Sequence, residues 1–177
     1  MIYLLMGMQN ALFGNKFTIM KNISLLTPVD LPAAFQIEQA SHAFAWSEKT
    51  FYSNQGERYL NYKISQNDQI IGFAITQYVM DEATLFNIAI HPEYQSRGYG
   101  RALLTHLINI LPEKQINTLW LEVRRSNQAA IRLYEEMGFN EVSIRKNYYP
   151  TATGKEDAII MALPLFEVDL DNKSQNH

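Results

Sequence analysis

Apolar positions along this chain recur first at one spacing and then at another, and their order predicts a mixed α/β domain. Ile23 to Leu26 reads as a strand. Thr27-Pro28-Val29-Asp30 then supplies an N-cap candidate, a proline at the first helical position and an acid in the first turn, which predicts a helix to about Ala40. Ser47-Glu48-Lys49-Thr50 marks a second helix start. Tyr59 to Ile64 and Gln69 to Met80 form a hairpin about the polar turn Ser65-Gln66-Asn67-Asp68. Glu82 to Ile90 is another strand, ended by His91-Pro92. In the following RALLTHLINIL, Ala102, Leu103, Leu107, Ile108 and Leu111 recur at helical spacing up to Pro112, so one face of that helix is core. Thr118 to Val123 is a strand, Asn127 to Met137 a helix stopped by Gly138, and Glu141 to Tyr149 and Asp157 to Leu163 are further strands. A meander followed by strand–helix–strand units implies a mixed sheet with helices on both faces.

Composition narrows this. A chain of 177 residues is most simply one domain with one core. Fifteen basic against 18 acidic groups give a formal charge of -3, which argues against a nucleic-acid binder held by phosphate contacts. The absence of cysteine excludes disulfides, a thiolate metal site and a cysteine acyl intermediate. His42, His91, His106 and His177 lie far apart with no paired ligand spacing, so no metal is expected. Residues 1–19 are apolar, but they lack a basic leading segment and are interrupted by Gly7, Gln9, Asn10 and Gly14. They fit a secretory signal or a spanning helix poorly, and are read as an extension outside a core that begins at Met20. A short membrane-surface or partner-binding helix is the other reading of that segment. Residues 165–177 are read as a polar, disordered tail, and the default compartment is the cytoplasm.

The chemistry begins at Gln95-Ser96-Arg97-Gly98-Tyr99-Gly100-Arg101, between a strand and an amphipathic helix. Glycines at 98 and 100 are expected to take backbone angles closed to other residues, so that consecutive amides point at one phosphate at the positive end of a helix. A dinucleotide-binding loop is the first reading to test, since Glu122 follows at nearly the right distance. Leu103 stands where the third glycine belongs, however, and residues 91–97 separate strand from glycine where that fold needs a tight turn. A Walker loop is absent too.

Further on stands Ser126-Asn127-Gln128-Ala129-Ala130-Ile131-Arg132-Leu133-Tyr134-Glu135-Glu136-Met137-Gly138-Phe139. Together with QSRGYGR upstream, NxxAxxLYxxxGF resembles the acyl-CoA site of the GNAT N-acetyltransferases. DEATLFNIAI, LWLEVRRSNQAAIRLYEEMGFN, RKNYYP and EDAIIMALP are similar, more narrowly, to the bacterial subfamily that acetylates the N-terminal alanine of a ribosomal protein. The likeness runs from about Met20 to Pro164, which is taken as the acetyltransferase domain.

The resemblance implies a GNAT fold, with a central mixed, mostly antiparallel sheet flanked by helices on both faces. It assigns Ile88, Ala89 and Ile90 to acetyl-CoA contacts through the backbone of a splayed strand. Ser96, Arg97, Gly98, Tyr99, Gly100 and Arg101 cradle the pyrophosphate, and Asn127 reaches the cofactor from the next strand–helix junction. Glu122 is placed as general base and Tyr134 as general acid. The implied acceptor is the free N-terminal segment of small-subunit ribosomal protein eighteen, with acetyl-CoA as co-substrate, no metal, no nucleic acid and no membrane.

An alkyl ammonium must lose a proton before it can attack a thioester, which a carboxylate can assist, and a tyrosine near the sulfur can protonate the leaving thiolate. From the residues alone, plainer roles stay open. Ile88 and Ile90 fit ordinary core, Asn127 a helix cap, Glu122 an ion pair with Arg124 or Arg145, and Tyr134 simple packing. Two positions depart from the subfamily pattern: Ala45, where proline is usual, and Ser96, where arginine is common. The rival functions are a transferase acting on a lysine, polyamine or drug amine, and an acyl-CoA-binding module without turnover.

Overall fold

The computed structural model describes residues 21–165. The expectations for residues 1–19 and for the tail from residue 166 lie outside them. Leu165 does not belong to the tail: its amide donates to the Asn117 carbonyl (2.8 Å) and its side chain packs on the core.

Seven strands make one sheet: β1 (Lys21–Leu25), β2 (Tyr62–Gln66), β3 (Gln69–Val79), β4 (Glu82–Ile90), β5 (Thr118–Arg124), β6 (Asn140–Thr151) and β7 (Gly154–Pro164). Their order is β1-β2-β3-β4-β5-β7-β6, antiparallel throughout except for β4 against β5. The helices are α1 (Leu31–Ser41), α2 (Glu48–Ser53), α3 (Tyr99–Ile110) and α4 (Gln128–Glu136). This is the mixed, mostly antiparallel sheet that the residue pattern implies.

Local signals set most boundaries. Asp30 accepts from both the amide and the hydroxyl of Thr27 (2.8 Å each), and Lys63 on β2 binds its other oxygen at 2.6 Å, fixing the entry to α1. Ser47 caps α2 by accepting from the Thr50 amide. The β2–β3 hairpin is tighter than the polar run suggests. Ser65 and Gln66 stay in the ladder, and only Asn67 and Asp68 turn, at φ of +48° and +65°. Asparagine and aspartate tolerate that left-handed pair, whose twist matches the strands.

The two faces of the sheet carry separate layers. Leu31, Ala34 and Ile37 of α1 and Phe51 of α2 bury against Phe73, Ile75 and Ala89, with Phe51 edge-on to Phe73 at 5.1 Å. On the other face Leu103, Leu104 and Leu107 of α3 and Ile131 and Tyr134 of α4 cover Ala74, Leu85, Leu119 and Leu121. Phe73 and Ala74 serve opposite layers because successive side chains of a strand alternate.

Candidate active site

The only parallel pairing in the sheet is short. Glu82 to Leu85 of β4 match Thr118 to Leu121 of β5, and beyond that register the two strands part. The cause is visible on the other edge of β4: Ile75 faces Asn87 while Thr76 faces Leu85, so Phe86 is an extra residue, a bulge that bends the strand away. The gap opens into a cleft of about 150 Å³, lined by residues of α1, the loop at 42–47, β4, β5, α4 and β6.

Glu122, Tyr134, Ile88 and Asn127 line this one cleft. Glu122 projects from β5 and meets Arg145 of β6 at 3.1 Å, one of the two ion pairs its sequence allowed. Arg124 is engaged elsewhere, with Glu156 at 3.0 Å. Tyr134 is 7% exposed, its ring 5.6 Å from Phe139, and burial, helped by nearby Tyr149, pushes its hydroxyl up to about 12. A phenol so placed keeps its proton at neutral pH and holds it available for donation. Asn127 does cap α4, its Oδ1 accepting from the Ala130 amide at 3.1 Å, while its residue also borders the cleft.

On β4 the three assigned residues part company. The His91 amide bonds to the Ile71 carbonyl at 2.8 Å, and two residues back Ala89 is matched to Phe73. Antiparallel alternation therefore turns the amide and carbonyl of Ala89 into the sheet and those of Ile88 and Ile90 toward the gap. The Ile90 carbonyl already accepts from Ser41 Oγ (3.0 Å) and Gln95 Nε2 (2.9 Å). Ala89 is buried in the α1/α2 layer.

The loop before α3 shows a division of labour that its sequence did not. Gly98 is the N-cap, left-handed at φ +81°, with nothing within 4 Å of where a Cβ would stand. Gly100 is not a turn glycine: it lies inside α3, and the second left-handed residue of the loop is Ser96 at φ +60°. A Cβ on Gly100 would sit 3.8 Å from Ile90 and 4.0 Å from Leu133, so its small size keeps this helix end open rather than bending the chain. The first intrahelical bond runs from Ala102 to the Gly98 carbonyl, and no side chain caps α3, which leaves the amides of Tyr99, Gly100 and Arg101 unpaired within the helix. Tyr99 contributes that amide only. Its ring is buried in the core, with Lys21 Nζ 4.8 Å from its centroid and its hydroxyl bonded to Gln66. Arg97 lies over Tyr94 at 5.6 Å, and Arg101 pairs with Glu136.

One cleft residue of α1 carried no signal in sequence. Glu38 of α1 is 1% exposed and accepts from the Trp46 amide (2.8 Å) and Asn87 Nδ2 (2.9 Å), with His42 at 3.5 Å. These contacts tie α1, the loop at 42–47 and β4 together, the bond to Asn87 across a long sequence separation. Tyr149 lines the cleft too, raised to about 12 by burial and by Glu122, whereas its neighbour Tyr148 is exposed. The pair separates because four positions of β6, from Arg145 to Tyr149, span only two of β7, with Asn147 at φ +52° bonding to Asp157.

Among the described residues no group of three or more His, Asp or Glu could hold a metal, and no helix is long and apolar enough to cross a membrane. Residues 27–139 match the Acetyltransferase (GNAT) family. The chain is similar to the [ribosomal protein bS18]-alanine N-acetyltransferase of Escherichia coli K12, 66% identical over 146 residues, which are 82% of this chain and 99% of that protein. The enzyme of the same name from Haemophilus influenzae is 57% identical over 144 residues, 81% of this chain and 98% of that one. The crystal structure of the ribosomal-protein-S18-alanine N-acetyltransferase from Escherichia coli superposes with a TM-score of 0.82 at 63% identity, covering 86% of this chain and 98% of that one.

Proposed function

The chain belongs to the GNAT family of acetyltransferases, and from that premise we propose that it transfers acetyl from acetyl-CoA to the free α-amine of an N-terminal alanine, on ribosomal protein bS18 in the cytoplasm. The observation that carries this reading is the convergence of Glu122 and Tyr134, an acceptor and a donor of protons, on the one cleft where β4 and β5 separate. Residues 20–164 form the acting unit in this reading, and a chain beginning at Met20 is expected to keep its activity.

The co-substrate supplies an activated acetyl thioester. The open, uncapped start of α3, with three free amides beside Gly98, fits its pyrophosphate, since such an end offers both donors and a positive dipole. The Ile88 backbone groups and the Ile90 amide, which face the gap, are available to the pantetheine arm and the acetyl carbonyl, and Asn127 Nδ2 remains free while Oδ1 caps. Arg101, paired with Glu136, and Arg97, lying over Tyr94, are the rim of the cradle.

Glu122 takes a proton from the incoming ammonium, directly or through water, so that nitrogen can bond to the acetyl carbon as the carbon–sulfur bond breaks. Tyr134 gives its proton to the departing sulfur. An α-amine has a reference pKa of about 7.7 to 8.0, against about 10.4 for lysine, so a single carboxylate is a sufficient base for the former at neutral pH. Arg145 does not disable it, since half-exposed pairs of this kind are worth only roughly 0–1 kcal/mol. The test is mass measurement of peptides after incubation with acetyl-CoA. A peptide starting with free alanine gains one acetyl group on its α-amine, and the same peptide with that amine blocked, though containing lysine, gains none. Acetylation confined to lysine would replace this reading with that of a side-chain transferase.

A further inference from the structure

Arg124 follows Glu122 by two positions on β5, so both side chains leave the same face of the strand and line the same cleft. Its guanidinium carbon is 5.0 Å from the ring centroid of Phe44, in the loop after α1, and 4.5 Å from that of Tyr149 on β6. Nη1 donates to the Pro150 carbonyl at 2.7 Å and to Glu156 Oε1 at 3.0 Å. The other oxygen of Glu156 accepts from the Ser126 amide at 3.0 Å, and hydrogen bonding from Ser126 and Arg124 holds this carboxyl below its usual range. The guanidinium is thus neutralised on its edge and given to aromatic rings on its faces. It links Phe44 on one wall to Tyr149 on the other.

The geometry points to Arg124 as a positioning residue that joins the two walls of the acceptor mouth, the loop at 42–47 and the β6–β7 hairpin, and so determines which amines reach Glu122. This rests on the N-terminal acetyltransferase reading above. Phe44 is 45% exposed and Ala45 leaves its loop without the rigidity of a proline, so the width of the mouth depends on the stack. Held closed, it admits the tapered end of a chain. A lysine must bring flanking backbone on both sides, which collides with the rim.

Steady-state kinetics on the full chain, with the alanine peptide and its amine-blocked, lysine-containing counterpart, test this. Arg124→Met raises KM for the alanine peptide about tenfold or more, with a smaller fall in kcat, and narrows the preference for α-amine over lysine by a similar factor. Arg124→Lys restores little of either, because an ammonium keeps the charge without the plane. Phe44→Leu reproduces part of the effect and adds little to Arg124→Met, as expected of two members of one stack. Calorimetric affinity for acetyl-CoA stays that of the wild type, which shows the variants folded. Unchanged KM and selectivity, fully additive effects, or a parallel loss of acetyl-CoA affinity would overturn the role of Arg124. Failure of the wild type to acetylate free alanine would instead remove the reading beneath it.

Discussion

The two ends of the proposed site are built in opposite ways. The phosphate end is made of seven consecutive residues, Gln95 to Arg101, and offers mainly backbone amides at the start of α3. The acceptor end is assembled from side chains of Glu38, Phe44, Glu122, Arg124, Tyr134 and Tyr149, brought from five separate elements by the sheet and by its bulges in β4 and β6. A backbone site needs small residues and a fixed loop, so it tolerates varied side chains. A side-chain site needs each atom placed by tertiary packing. Substitutions at the first end are therefore expected to change affinity for acetyl-CoA, and those at the second to change turnover and acceptor choice.

The largest effect expected is at Tyr134. Tyr134→Phe lowers kcat roughly 10²-fold or more, the scale of a lost general acid, while calorimetric affinity for acetyl-CoA stays nearly unchanged. Near-normal turnover would break the assignment, and a matching loss of affinity would blur the distinction between the two ends.

Glu122→Gln comes next, with a loss of roughly 10- to 10²-fold at neutral pH. The deficit shrinks as pH rises through the reference pKa of an α-amine, about 7.7 to 8.0, because the acceptor then deprotonates unaided. A pH–rate profile with a constant deficit from neutral to alkaline pH would contradict the base role.

At the phosphate end the expected effects are smaller and of a different kind. Gly98→Val puts a β-branched residue at φ +81° and is expected to cost about 1–2 kcal/mol of stability as well as acetyl-CoA affinity. Gly100→Val, inside the helix with open van der Waals distances, weakens affinity through bulk over the free amides and costs less stability. Thermal melts beside calorimetry separate the two. Equal stability losses would mean that both glycines serve the backbone alone.

The effect most remote from neutral pH is a pH dependence of stability that belongs to the acceptor end. Tyr134 and Tyr149 are both raised to about 12 in the fold from 10.0, so folded and unfolded chains keep these protons alike below pH 10. Above that the unfolded chain releases them first, and the stability they lend is lost as pH rises toward about 12. Melting temperature across that window falls less steeply in Tyr134→Phe than in the wild type. An identical slope would place the shift elsewhere.

Most of the architecture was legible in sequence because its signals are local. Alternation and helical spacing depend on neighbours within one element, Ser47 and Asn127 act as caps on amides three residues away, and Asp30 accepts from the Thr27 amide. The glycine loop and the run around Tyr134 marked one end of the site for the same reason. What the sequence misjudged was the use of individual residues: Gly100 sits in a helix, Ser96 takes the left-handed angle, and Arg101 turns to Glu136. These follow from where α3 begins and from what stands beside it, which no local spacing encodes.

The order and type of elements, the helices on both faces of the sheet and the nature of the chemistry are written in residues near one another in the chain, which is why spacing and motif carry them. Packing alone sets where β4 leaves β5 after Leu85, how the buried Glu38 ties α1 to Trp46 and Asn87, and that Arg124 lies beside both Phe44 and Tyr149. Each of those contacts joins different elements of the fold, most of them far apart in sequence. It exists only once the sheet has fixed the register that sets one beside the other.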